Sequence, residues 1–388
     1  MNNQRGISQT LFLSNLALMF GFQVWRAVFN NLAVEDLGLE AGAVGVIQSI
    51  REVPGLMGFL FVLMVALLGS EMRVMGANVV LLGVGLVLTG LSSDLLMLVV
   101  GTLVTSVGFH YFSSGSQAVL LQITARAETP SALGRLSSVG ALASVLATVG
   151  VFGAALALDN RQIMVLGGVI VVFAGLVLLP RMNVARRYEQ HDKPAREAVR
   201  RDYWLYYTLT FLMGTRRHIF TTFAIFMLVR VHGLLTWQTA ILFFVNSVVS
   251  FVALPQLGRL VERFGERRML TFNFVCLIGI FVGYATVDAM PVLVALFVLD
   301  NLFFGFSLAI NSYFQKIAVI PQDITPNMSL GQSINHVAAV LIPIVGGWMW
   351  ERFDPAMPFL TGAVVALLSL GLMYWMQVPR REAAWGSA

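Results

Sequence analysis

Runs of apolar residues long enough to cross a bilayer recur along the chain, each closed by a short polar break, and twelve can be marked: 8–29, 42–68, 76–92, 95–122, 137–158, 163–180, 203–229, 237–258, 270–286, 291–317, 330–350 and 358–378. A helix rising about 1.5 Å per residue needs roughly 20 such residues to cover the hydrocarbon core. The pattern predicts an all-α, polytopic membrane protein with twelve transmembrane helices. The first run, Leu11 to Val28, follows one arginine and lacks a small-residue cleavage site before the next span, so it reads as a retained helix.

Composition agrees with that solvent. Apolar residues make up 57% of the 388 and charged residues 12%, with mean hydropathy +0.80, far from the balance of a soluble domain. Cys276 is the single cysteine and lies in an apolar run, so neither a disulfide within the chain nor a cysteine metal site is available. The 18 methionines show no repeated metal-binding spacing and read as packing residues. No cofactor or metal is expected, and no glycine-flanked serine nucleophile or paired metal-ligand spacing points to an enzyme. The net charge of +5 comes from loop arginines and does not call for nucleic acid.

Basic residues set the expected orientation. With both termini inside, the outer loops hold only Arg161, Arg230 and Arg352, and the inner segments hold most of the rest. That predicts a multi-pass protein of the inner membrane with cytoplasmic termini. The longest polar break, Arg181 to Asp202, carries Arg181, Arg186, Arg187, Lys193, Arg196, Arg200 and Arg201. It reads as a solvated cytoplasmic linker, 181–202, lying against anionic lipid headgroups. On either side stand an N-terminal half, 1–180, and a C-terminal half, 203–388, of six spans each.

The halves repeat one another. Gly108-Phe109, Gln117, Thr129-Pro130, Leu133-Gly134 and Gly150 recur at near-constant spacing as Gly305-Phe306, Gln315, Thr325-Pro326, Leu330-Gly331 and Gly347. Two parallel six-helix halves around a midplane site resemble the major facilitator superfamily. The resemblance covers the whole chain. Its most specific local sign is Gly258-Arg259-Leu260-Val261-Glu262-Arg263-Phe264-Gly265-Glu266-Arg267-Arg268, which is similar to that family's loop motif G-x-L-x-D-R-x-G-R-R. Glu262 replaces the aspartate and Glu266 interrupts the basic end. The counterpart from Gly69 to Gly76 is too degraded to match, and the proline-between-glycines pattern of drug exporters is missing from the fifth span, while Ile342-Pro343-Ile344-Val345-Gly346-Gly347 lies in the eleventh. The resemblance implies that Gly258, Glu262, Arg263, Gly265 and Arg267 act in conformational change. It also implies that spans one, four, seven and ten line a cavity, spans two, five, eight and eleven flank it, and spans three, six, nine and twelve face lipid.

Charged residues inside spans cost about 2.5–3.5 kcal/mol even on lenient scales, so they mark function by default. Arg26 lies on the first span, Arg51 and Glu52 on the second, His110 on the fourth, Arg216, Arg217 and His218 on the seventh, Asp300 and Lys316 on the tenth, and His336 on the eleventh. Spans three, six, nine and twelve have none within these boundaries. Arg51, Glu52, His110, Arg216, Arg217, His218 and Asp300 fall about ten to fifteen residues into their spans, near the midplane. Steps of three and four align Asp300, Phe304, Ser307, Asn311 and Gln315 on one face; His110, Ser114 and Gln117 on another; Thr210, Gly214, Arg217 and Thr221 on a third; and Gln23, Arg26 and Asn30 on a fourth. Adjacent arginines point about 100° apart, which favours Arg217 for substrate and Arg216 for a structural partner.

Three midplane arginines against two acids leave a positive surplus, to which Arg26 adds. Arginine grips carboxylate or phosphate through two parallel hydrogen bonds, so the surplus favours a small organic anion. The expected function is proton-coupled secondary active transport by alternating access. Arg217, Arg26, Arg51, His110, Gln117, Asn301, Asn311 and Gln315 would contact substrate. Glu52, Asp300 and His218 would carry or relay protons. His336, with Gln332 and Asn335 on a neighbouring face, would pack or gate. The alternatives are efflux of amphipathic compounds such as drugs, siderophores or lipids, and a transporter-like sensor or scaffold that binds without moving its ligand.

Overall fold

The computed structural model describes residues 2–58, 60–123, 129–182, 200–319 and 323–378, apart from a few side chains. The described residues form fourteen α-helices with short π and 3-10 turns and no strand. Nine helical stretches among them are long and apolar enough to cross a membrane, and the protein is a multi-pass membrane protein.

The twelve runs become fourteen helices because two of them break. The second divides into α2 (Ala41–Leu56) and α3 (Leu60–Leu68). Pro54 lies inside α2, and a proline supplies no hydrogen bond to the turn before it, so the helix ends within one turn. The tenth divides into α11 (Met290–Phe304) and α12 (Ser307–Ile317), with Gly305 and Phe306 bonding to carbonyls only three residues back, at 3.0 and 3.1 Å. The other runs form α1 (Asn2–Asn31), continued by a π turn at Leu32–Asp36, α4 (Glu71–Gly90), α5 (Leu95–Ile123), α6 (Thr129–Ala154), α7 (Asn160–Leu178), α8 (Trp204–Arg230), α9 (Thr236–Phe264), α10 (Glu266–Thr286), α13 (Ile324–Arg352) and α14 (Met357–Leu372).

Two expectations need correction. Gly258 to Phe264 is not loop but the last two turns of α9, because nothing breaks the helix before Gly265. Gly265 has φ +84°, in the left-handed region that favours glycine, and makes the whole turn into α10. The third and ninth spans also begin earlier than the apolar pattern suggested, at Glu71 and Glu266, which are 1% and 2% exposed. These helices therefore do carry buried acids. Gly69, one residue before the N-cap of α4, also has a positive φ of +75°.

The chain divides into two compact units. The first comprises Met1–Leu39, Ile50–Gln190 and Gly233–Ser247; the second comprises Glu40–Ser49, His191–His232 and Val248–Ala388. The first is built on small residues. α4 packs on α5 through a reciprocal pair, Gly85 and Thr89 against Gly101 and Thr105. A Cβ on Gly85 would meet Thr105 N at 2.3 Å, and one on Gly101 would meet Thr89 N at 2.6 Å. Each threonine hydroxyl donates to the glycine carbonyl one turn back, at 2.8 and 2.9 Å, so neither hydroxyl is left without a partner. α4 meets α7 in the same way, at Gly83 and Gly168. In a bilayer, where lipid is as apolar as leucine, close backbone approach is what drives such association.

The second unit is filled by rings. Phe220, Tyr284 and Phe297 from α8, α10 and α11 stack edge-on or tilted, with Phe359 of α14 against Tyr284 at 5.0 Å. A backbone-close seam joins the start of α2 to α13. Gly42 N donates to Glu351 Oε1 at 2.7 Å, so an acid from another helix caps the α2 N-terminus. A Cβ on Gly45 would lie 2.2 Å from the Pro343 carbonyl oxygen.

The glycine seam predicts a contrast. Gly85→Ala pushes a methyl into the α5 backbone and should destabilise the purified protein by about 1–3 kcal/mol. Gly153→Ala, where a Cβ would meet nothing within 4 Å, should leave the thermal unfolding midpoint in detergent unchanged.

Candidate functional site

In the second unit the site grows from two adjacent arginines about halfway along α8. Arg216 turns into the protein and Arg217 turns away from it. Arg216 Nη1 donates to Asp300 Oδ1 of α11 at 2.8 Å, with side-chain exposures of 1% and 6%. Burial of both charges is tolerated because each neutralises the other within hydrogen-bond distance. One residue on, the Arg217 guanidinium lies 4.2 Å from the centroid of the Phe304 ring. A guanidinium over a ring face is held by cation–π attraction, and its planar fork matches the geometry of a carboxylate.

Beside Arg217 is a cavity of about 290 Å³. α8 supplies Tyr206, Thr210, Met213, Gly214 and Arg217; the α11–α12 joint supplies Phe304, Ser307, Ile310 and Asn311; α13 supplies Met328, Gly331, Gln332 and Asn335. Two glycines make the room. A Cβ at Gly331 would strike the Tyr206 hydroxyl at 2.6 Å, and one at Gly214 would strike Asn335 Oδ1 at 2.9 Å. The described lining holds one cation, three amides and three hydroxyls, and no carboxylate.

The sequence-derived α11–α12 stripe is interrupted by the break after Phe304. Phe304, Ser307 and Asn311 line the cavity, whereas Asp300 is turned into its ion pair and Gln315 is exposed beyond the lining. Asn301 Nδ2 donates instead to Ser250 Oγ of α9 at 2.8 Å. Thr210, Gly214 and Arg217 line the wall together, but Thr221, a turn further on, does not. Tyr206, Met213, Met328, Gln332 and Asn335 were not singled out as lining residues. Their signal was present on α13, where Met328, Gly331, Gln332 and Asn335 follow steps of three and four. His336 is half-buried next to Asn335 and lies outside the lining, and His218 is buried one residue past Arg217.

In the first unit a second charged group forms around α2. Arg51 Nη2 and Glu52 Oε1 are 2.5 Å apart, and His110 Nε2 of α5 stands 3.9 Å from Glu52 Oε2. The Arg51 guanidinium lies 5.0 Å over the Trp25 ring of α1, and Ser106 donates to the Arg51 carbonyl. These side chains are 10–18% exposed, unlike the sealed Arg216–Asp300 pair. Arg26, exposed on α1, lies over the Phe243 ring at 5.0 Å and reaches Gln23 Oε1 at 3.5 Å. The Gln117 side chain lies outside the described residues.

Of the loop-motif residues, Glu262 and Arg263 are exposed at the end of α9, with Arg263 over the Phe264 ring at 5.2 Å. Arg267 reaches the Tyr374 carbonyl at 3.4 Å, and a Cβ at Gly258 would meet nothing within 4 Å. No group of three or more His, Cys, Asp or Glu that could hold a metal occurs among the described residues.

The profile of the Major Facilitator Superfamily matches residues 11–327. No curated protein matches the sequence. Among solved structures, a bacterial homolog of the human lysosomal transporter Spinster, in an inward-facing and occupied conformation, superposes with a TM-score of 0.79 at 13% identity, covering 100% of both chains. The nucleoside transporter NupG superposes with a TM-score of 0.75 at 15% identity, covering 97% of this chain and 99% of its own. At such identity the likeness speaks for the fold.

The buried pair makes a stability prediction. Arg216→Met or Asp300→Leu alone strands a charge and should cost about 3–5 kcal/mol, whereas the double substitution should regain most of that loss, as buried pairs replaced by apolar groups do. Thermal unfolding of the three variants in detergent reads the difference.

Proposed function

The chain belongs to the major facilitator superfamily and is a membrane transport protein, and on that premise we propose that it moves a small organic anion by proton-coupled secondary active transport. The observation that carries the reading is the cavity beside Arg217, which has one cation in its described lining and no carboxylate to meet an ammonium. Arg216 is paired with Asp300, and Arg217 is the cation that the described lining presents to the cavity, which favours an anion over a charged amine. The amides of Asn311, Gln332 and Asn335 offer both donors and acceptors to hydroxyl or carbonyl groups on the same solute.

Proton coupling is assigned to Glu52 with His110. A group that exchanges protons needs a path to water, and this cluster is partly exposed while Asp300 is sealed with Arg216. Protonation of Glu52 would release Arg51, which Trp25 holds by its ring face. In this reading Asp300 braces α8 against α11, and Arg26 and Arg51 assist the substrate. The remaining features are proposed with it: inner-membrane location, cytoplasmic termini, six-helix halves at 1–180 and 203–388, and a basic linker at 181–202. The apolar walls of Met213, Phe304, Ile310 and Met328 favour a second reading, export of amphipathic compounds.

Reconstitution into proteoliposomes with an internal pH dye separates the readings. Gluconate, lactate and benzoate would be offered as anions and uridine as a neutral solute. At least one anion should move protons in wild type. Arg217→Gln should lower its transport efficiency on the order of tenfold to a hundredfold, the loss expected for charge-assisted hydrogen bonds. Glu52→Gln should leave anion exchange intact and abolish the proton signal. Equal uridine flux in wild type and Arg217→Gln, with no anion moving protons, would overturn the assignment.

A further inference from the structure

The cavity wall contributed by α12 is the one wall whose helix does not continue from above. Gly305 and Phe306 interrupt the backbone ladder between α11 and α12, so the bracing of α11 by Asp300 does not fix where α12 lies or how it is turned. Yet Ser307, Ile310 and Asn311 of α12 line the cavity. Something else must set that half-helix.

Glu266, the first residue of α10, meets the requirement. It is 2% exposed, and its Oε1 accepts from Lys316 Nζ at 2.5 Å and from Ser312 Oγ at 2.6 Å. Ser312 and Lys316 are one helical turn apart, on the same face of α12. One contact would leave the helix free to pivot. Two contacts to one oxygen, one turn apart, fix both its height and its rotation. Asn311 precedes Ser312 and therefore faces about 100° away from the anchored side, toward the cavity. The anchor is itself well held: Gly265 starts α10 abruptly with φ +84°, which places the carboxylate in the first turn, where the helix dipole favours an anion. Other contacts of this segment are the Phe314 ring of α12, stacked on Tyr206 at 4.2 Å on the side away from Ser312 and Lys316, and Val319 N just beyond it, which donates to the Tyr203 hydroxyl at 2.9 Å.

We propose that Glu266 is a positioning residue for the substrate cavity, acting through Lys316 and Ser312 to hold α12 in register so that Ser307 and Asn311 face the site. Glu71 occupies the corresponding buried place at the start of α4 in the first unit, where α5 runs unbroken from Leu95 to Ile123. The inference adds to the proposed anion site, and its test reads helix position, so it stands or falls independently of the substrate.

Thiol accessibility reports the position of α12. Ala309 lies on the anchored side of α12 and Ala338 on α13, both 0% exposed. Each would be changed to cysteine in a Cys276→Ser background and labelled with a maleimide in the full-length protein in detergent. Lys316 is 35% exposed by its side chain, so Lys316→Met is not expected to impair folding. Lys316→Met and Glu266→Gln should speed labelling at position 309 on the order of tenfold, the shift that loss of a charge-assisted hydrogen bond brings. Position 338 should keep its rate, and Lys316→Arg should protect position 309 as lysine does. An unchanged rate at 309, an equal rise at 338, or identical behaviour of Lys316→Arg and Lys316→Met would each overturn the proposal.

Discussion

A guanidinium and a carboxylate sealed from water can be kept only in contact, and the Arg216–Asp300 pair at 2.8 Å imposes that condition on the second unit. It fixes the rotation of α8. Because successive helical residues point about 100° apart, fixing Arg216 inward turns Arg217 outward, over Phe304 and into the cavity. It also fixes α11, whose Asp300 reaches back one turn before the helix breaks. The α8 wall of the cavity and the Phe304 end of α11 are thus set by one ion pair. The α13 wall is set by Gly331 and Gly214, which let its backbone approach α8 closely enough for Asn335 and Tyr206 to share the space. α12 remains, and it has its own acid.

The two units answer the same sequence repeat with different physics. Gly108-Phe109 and Gly305-Phe306 are corresponding dipeptides. In α5, Gly108 is a packing glycine in a continuous helix, where a Cβ would come within 2.6 Å of the Asn78 carbonyl oxygen. Between α11 and α12 the same pair marks the break. The difference follows from the surroundings. The small-residue seams of the first unit press α4 against α5 along its length and keep that helix straight. Around α11 the second unit packs through side-chain rings, Phe220 against Phe297 and Phe272 against Phe303, which leaves a backbone free to bend at a glycine. Other parts of the repeat survive intact: Glu71, Arg73 and Asn78 recur as Glu266, Arg268 and Asn273, each helix opening on a buried acid after a glycine of positive φ.

Much of this was legible in the sequence because the bilayer leaves few options: a run of apolar residues must form a helix, and the twelve runs do so. The arginines and acids inside them stood out for the same reason. The breaks were not legible, since Pro54 and Gly305 resemble many tolerated residues in membrane helices and only the packing decides which of them bend. Glu71 and Glu266 were placed outside the spans because hydropathy reads a glutamate as a boundary. Lys316 and Ser312 next to Glu266 remove that cost in the fold, and no local pattern announces a partner some fifty residues away. Gln332 and Asn335 were visible as polar residues on α13, but which face of that helix meets α8 depends on Gly214 and Gly331.

The two ion pairs differ in a way that divides their work. Arg216 and Asp300 come from different helices, so separating them loosens α8 from α11 and disturbs the cavity itself. Arg51 and Glu52 are neighbours on α2, and their bond braces no pair of helices. A carboxylate in that position can trade arginine for a proton, or for His110 at 3.9 Å, without the packing around it being undone. Coupling requires a charge that changes partners while the fold persists, and binding requires a charge whose direction does not change. By that criterion the proposed proton coupling falls to the first unit and the proposed anion site to the second.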